Sequence, residues 1–243
     1  MELLDNVEMH KFINLALQWQ PLVEELGLAK LENCERFVKL VKDQDQRISK
    51  NDPAHRRGHL TDVLCNTSRC YAWEQEQGGV AGRAAEYFMA TLFHDTFASA
   101  ERERHHILGA EYYEETIHPS LPREWKYMID DRRVVQMCRW HRSSVPAPKE
   151  KATFVHLFAA ADKGPMKFQK VIDRSVKYQK HHFPECDAVS LAFEHCREKF
   201  GRKGYAFKEM RPEYLAVFGE ELEEFWRRLE DPRAEDRYRS TFG

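Results

Sequence analysis

No run of apolar residues in this sequence approaches the roughly 20 that a membrane-spanning helix needs, so no membrane partner is expected. The opening segment MELLDNVEMH is acidic and polar, unlike a signal peptide. Six cysteines, Cys34, Cys65, Cys70, Cys138, Cys186 and Cys196, lie scattered and form no CxxC pair. That pattern gives no disulfide framework and suits free thiols in a reducing compartment, so a cytoplasmic protein is expected. The formal charge is only -2, which gives no global case for nucleic-acid binding and leaves local patches open. The alternating β-branched pattern of strands is nearly absent, and no internal repeat is visible.

What is present is helical periodicity. With 243 residues and 42% hydrophobic side chains, the chain can bury a sizeable core. Residues 1–25 read as one or two short helices broken near Pro21. AKLENCERFVKLVKD places Leu31, Cys34, Phe37, Val38 and Val41 close to one face. A polar loop containing Pro53 and Gly58 follows, then a helix from about His59 to Gln77. Residues 83–94 are apolar nearly all round, as expected of a helix in the middle of a bundle. Further helices are expected over HHILGAEYYEETI, DDRRVVQMCRWH, KATFVHLFAAADKG, MKFQKVIDRSVKYQKHHF and PEYLAVFGEELEEFWRRL. Asp130 and Asp131 mark one start, and Pro212 another. The expected fold is all-α. Its expected parts are N-terminal helices (1–50), a helical core (51–165) and a C-terminal extension (166–243) in the same globular unit; residues 231–243 read as a charged tail.

Imidazole and carboxylate groups gather at the helix ends. His59 opens one helix, His94-Asp95 ends the next, and His105-His106 open another. His141 ends a further helix, and Asp162 ends the most apolar one, Phe158-Ala159-Ala160-Ala161. Singly, each is an ordinary polar end or a satisfied core residue. Together, five consecutive segments offer groups that are expensive to bury unless paired or bound to a metal. Asp162 also sits at the unfavourable end of a helix dipole, where a cation would compensate it. Imidazole and carboxylate without thiolate suit a hard-to-borderline divalent ion. His59, His94, Asp95 and Asp162 complete one such site. His106 and His141 are candidates for a second, with Asp95 bridging. Such a pair lowers the pKa of water and clamps phosphoryl oxygens.

At these residues the sequence resembles the HD superfamily of metal-dependent phosphohydrolases. The resemblance runs through His59 in AHRRGHLTDV, His94-Asp95 in ATLFHDTF, His106 in HHILGAEYYEE, His141 in VVQMCRWHR and Asp162 in FAAADKG, over residues 52–163. It implies an HD-domain-like helical bundle with extra N- and C-terminal helices. It also implies one or two divalent ions (Mn, Mg, Co, Zn or Fe) and hydrolysis of a phosphate mono- or diester of a nucleotide or related small molecule. His59, His94, Asp95 and Asp162 match the primary ligands. His106 and His141 match the second set, with the spacing to Gly109 favouring His106 over His105, its neighbour about 100° around the helix. The chain departs from the family after the doublet. Thr96-Phe97-Ala98 lacks the lysine of cyclic-dinucleotide-cleaving members, and Ala98 stands where mononucleotidases often carry glutamate.

Glu101 or Glu103 is a candidate for that acid–base work. Lys163 is the first candidate for phosphate contact, before Arg142, Arg102 and Arg104. His55 is a candidate for substrate contact or ligand support, or else a loop residue; Asp62 could support His59. Trp140, beside His141, is the aromatic suited to stack on a base. Residues 164–214 are basic, and are read either as a solvated amphipathic helix or as a positive rim for a phosphorylated substrate, an oligonucleotide included. A homodimer contact is another use for them. Two alternatives to hydrolysis stay open: di-iron oxidation on the same ligand set, and a non-catalytic, metal-stabilised binding bundle.

Overall fold

A computed structural model describes residues 2–50, 57–78, 82–142, 145–204, 206 and 211–242. They are all-α, with no strand among the described residues. By contacts the chain divides into two compact units, Met1–Gly164 and Pro165–Gly243.

The first unit holds α1 (Glu2–Gln18), α2 (Gln20–Glu25), α3 (Leu31–Ile48), α4 (Arg57–Glu76), α5 (Ala84–Phe93) and α6 (His105–Tyr112). A π-helical turn, Tyr113–Ile117, continues α6 into the short α7 (His118–Ser120). Then come α8 (Arg123–Met128), α9 (Asp131–Trp140) and α10 (Thr153–Lys163). The break at Pro21 and the Asp130 start of α9 appear as expected. Pro21 lies in the first turn of α2, and the Asp130 carboxylate accepts from the Arg132 N–H at 3.1 Å.

α5 is the centre of this unit. All ten of its residues are buried, and it packs against α2, α3, α4, α9 and α10. A helix apolar on every side has no other stable place. Each fully buried aromatic on it, such as Phe88 or Phe93, contributes on the order of 1.5–3 kcal/mol. Its first turn is held by two acids. Glu25 of α2 accepts from the Ala84 and Ala85 N–H groups at 3.2 and 2.8 Å. Glu86 accepts from the Arg83 N–H at 2.9 Å. Both carboxylates lie at the positive end of the helix dipole.

The second unit holds α11 (Phe168–His182), α12 (Ala188–Phe200), α13 (Pro212–Leu229) and α14 (Ala234–Phe242). The charged segment after Asp231 is therefore helical, not a tail. Tertiary contacts explain the difference. Tyr238 of α14 lies edge-on to Phe193, ring centroids 6.0 Å apart, and its hydroxyl donates to Asp173 at 2.8 Å. α12 starts where Asp187 accepts from the Val189 and Ser190 N–H groups at 3.1 and 3.3 Å. All six cysteines are free thiols. No helix among the described residues is long and apolar enough to cross a membrane.

Candidate metal centre

The end of α5 delivers the His94-Asp95 doublet into the core, so its last carbonyls need partners away from water. Each has one. The Ala90 carbonyl accepts from the His94 N–H at 3.0 Å. Thr91 O lies 2.9 Å from His94 Nδ1. Leu92 O accepts from Gln44 Nε2 of α3 at 3.1 Å, and Phe93 O accepts from Thr96 Oγ1 at 2.8 Å. Gln44 also donates to Thr96 Oγ1 at 2.7 Å. Thr96, directly after the doublet, closes this helix end.

Around the doublet, four helices deliver the remaining groups. His59 comes from α4, His105 from the start of α6, His141 from the end of α9 and Asp162 from the end of α10. Asp95 divides its two oxygens between them. Oδ2 lies 3.4 Å from both His59 Nε2 and His94 Nε2. Oδ1 lies 3.3 Å from His105 Nε2 and 3.4 Å from His141 Nε2. Asp162 Oδ1 completes the first half, at 3.0 Å from His59 Nε2 and 3.3 Å from His94 Nε2. The imidazoles also approach one another. His59 and His94 bring their Nε2 atoms to 3.4 Å, and His105 and His141 theirs to 3.2 Å.

Those nitrogen contacts identify the chemistry of the cluster. A carbonyl oxygen only accepts, so the Nδ1 of His94, His105 and His141 must carry a proton. Their partners are Thr91 O at 2.9 Å, Arg102 O at 2.7 Å and Cys138 O at 2.7 Å, each three residues back. In the neutral ring, Nε2 then presents a lone pair to the cluster. Lone pairs facing each other and two carboxylates require a cation between them, a proton or a metal ion. The backbone carbonyls thus do what outer partners do for metal-ligating histidines, fixing tautomer and orientation. Two groups, His59 with His94 and Asp162, and His94 with Asp95 and His141, could hold a metal ion.

Electrostatics agree. Burial alone would lower the His59 pKa, but Asp162 and Asp95 outweigh it and push it up to about 10. His94 is raised against its burial by the same two carboxylates. Burial would raise Asp95, yet the surrounding imidazoles, His94 first, hold it well below the usual carboxylate range. Asp162 is likewise held low by His59 and His94. The ion-free cluster therefore draws protons in as its cations.

His59, His94, Asp95, His141 and Asp162 thus converge as expected from the sequence. His106 does not join them. His105 takes the place, and His106 points elsewhere, its Nδ1 buried without a hydrogen bond and its pKa lowered to about 4, by burial first and then by neighbouring cations. Gly109 explains the choice. A methyl group on it would lie 2.9 Å from Phe93 O and 3.0 Å from His94 O, so α6 rests its glycine on the end of α5. By helical geometry His105 lies about 40° from the Gly109 direction and His106 about 60° on the other side.

The other candidates scatter. Glu101 is exposed, as are Glu103, Arg102 and Arg104. Arg142 donates to Glu103 O at 2.5 Å. Lys151 lies over the Trp140 ring at 5.5 Å. Lys163 is half-buried, and burial lowers its pKa to about 8. His55 lies outside the described residues. One contributor was missed from the sequence. Asn66, two turns along α4 from His59, donates to Ala161 O at 3.0 Å and closes the end of α10 beside Asp162.

The chain matches no family model, no curated protein and no solved structure.

Proposed function

We propose that the chain is a metal-dependent phosphohydrolase of the HD type, acting on a phosphate ester of a nucleotide or related small molecule. The observation that carries this reading is Asp95, whose two oxygens each meet a separate pair of inward-facing imidazoles. His59, His94, Asp162 and one Asp95 oxygen would hold one divalent ion, and His105, His141 and the other oxygen a second. Bound there, such ions supply Lewis acidity toward phosphoryl oxygens and a lowered pKa for water.

The chain's own residues provide the rest. The three tethered histidines keep their Nε2 atoms aimed inward and leave little to reorganise during reaction. Access runs from one side. The His59 and Asp162 side chains are 21% and 16% exposed, whereas those of His94, Asp95 and His141 are 0%, 4% and 2%. Substrate therefore meets the cluster at the α4 and α10 side, where Lys163 follows Asp162. We take Lys163 as the phosphate contact, a role for which its half-buried position suits a charged partner.

A panel of nucleotides, cyclic nucleotides and general phosphodiesters, offered with Mn, Mg, Co or Zn, tests the reading. Release of phosphate or opening of a diester is the expected result. Oxygen consumption by iron-loaded protein, with no ester cleaved by any metal, would replace hydrolysis with oxidation.

A further inference from the structure

The second unit carries a surface that the metal centre does not use. Lys167, Lys170, Arg174, Lys177 and His181 are exposed and recur along α11 at intervals of three and four residues. At about 100° per residue, they and Tyr178 share an arc of about 100°. The opposite side of α11 is closed, because Phe168, Ile172, Val176 and Gln179 are buried. Phe168 there packs against Phe193 and Phe225, ring centroids 6.1 and 6.2 Å away.

Two further features turn this charge into a recognition surface. First, four arginines elsewhere in the unit are paired: Arg202 with Glu223 and Glu230, Arg227 with Glu224, Arg237 with Asp231, and Arg239 with Asp187 and Glu235. No ion pair among the described residues involves Lys167, Arg174 or Lys177. Asp173, the one carboxylate of α11, is engaged by Gln169 and the Tyr238 hydroxyl, each at 2.8 Å. Second, the stripe ends in exposed rings. Tyr178 is 57% exposed and Phe183 44%. Tyr178 and His182 stand with ring centroids 4.3 Å apart, and His182 is 4.8 Å from His181.

We propose that α11 binds a single strand of nucleic acid, with phosphates along the lysine and arginine stripe and bases against Tyr178, His182 and Phe183. A cationic track joined to exposed aromatic faces is how sequence-tolerant single-strand binding is built. The stripe runs for about 21 Å at 1.5 Å per residue. A stacked strand at about 3.4 Å per nucleotide sets about six nucleotides along it. An anionic membrane fits less well, because the apolar side that would insert is already buried within the unit.

The test is fluorescence anisotropy of labelled oligouridylate and oligothymidylate with the full chain in EDTA, so that the metal centre takes no part and failure here leaves the phosphohydrolase reading untouched. Duplex DNA and phosphatidylserine vesicles serve as competitors. The wild type should bind the single strands with an affinity that falls as salt rises. The triple variant Lys167→Glu, Arg174→Glu, Lys177→Glu should bind at least about tenfold more weakly, its salt slope smaller by about 0.7 for each phosphate no longer neutralised. Tyr178→Ala should weaken binding about fivefold or more. Circular dichroism checks that both variants stay helical. No binding by the wild type at low salt would overturn the proposal, as would unchanged affinity in a folded triple variant. Preferential capture by the vesicles, or equal duplex binding indifferent to Tyr178→Ala, would also overturn it.

Discussion

Gly109 rests against the backbone of His94, close enough that a methyl group on it would stand 3.0 Å from the His94 carbonyl oxygen. This contact sets the rotation of α6 and so selects His105 for the cluster. Gly109→Ala should lower stability by about 1–3 kcal/mol, the usual result of overpacking a tight contact. It should also displace the His105 ring and weaken binding of a second ion more than the first. Denaturant melts and metal titration of the same variant check both effects.

His105 and His106 should separate cleanly. His105→Ala removes a ring that faces both Asp95 and His141, so affinity for one ion should fall by more than about a hundredfold. His106→Ala removes a ring with no contact to either carboxylate, and both ions should still bind. Calorimetric stoichiometry in the two variants decides the assignment, and the reverse pattern would restore His106.

Asn66 closes the α10 end beside Asp162. Asn66→Ala leaves Ala161 O buried without its partner, which should cost about 1–3 kcal/mol. Metal affinity should drop about tenfold through the loosened Asp162, as expected when a group that positions a ligand is removed. A thermal melt with and without added manganese reads the two effects apart.

The pH response follows from the signs of the shifts. His59 is raised from 6.5 to about 10, so its pairing stabilises the ion-free protein fully below pH 6.5 and is lost as pH climbs through about 10. Asp95 and Asp162 are depressed from 3.8, so their contribution is present above about pH 4 and lost as pH falls further. In EDTA, stability should therefore peak between about pH 4 and 6.5. Bound metal takes the place of those protons, so affinity should rise with pH and binding should release protons. Affinity flat across pH 6 to 9 in unbuffered calorimetry would contradict this.

Much of the first unit was legible in the sequence because its signals are local. Apolar residues all round α5 placed it centrally, and ionisable groups at successive helix ends announced a cluster. The choice between His105 and His106 was not legible. It turns on a rotation of one residue, set by where Gly109 docks on another helix. α12 and α14 were missed as well. α14 is polar and charged, and packing of Tyr238 on Phe193 and Asp173 holds it helical, whereas α12 does carry a helical face, Ala188, Ala192, Phe193 and Cys196, which the basic residues around it obscured. Asn66 was hidden because a lone asparagine on a helix signals nothing until its acceptor is known.

Metal content of the wild type and Asp95→Ala, both purified without chelator, tests the central claim most directly. Asp95 touches every imidazole of the cluster, so its loss should empty both halves. The wild type should carry one or two divalent ions per chain and cleave a phosphate ester. Asp95→Ala should remain helical, carry none, and be inactive. A wild type that binds no divalent ion, or an Asp95→Ala variant that keeps its metal and full activity, would contradict the account.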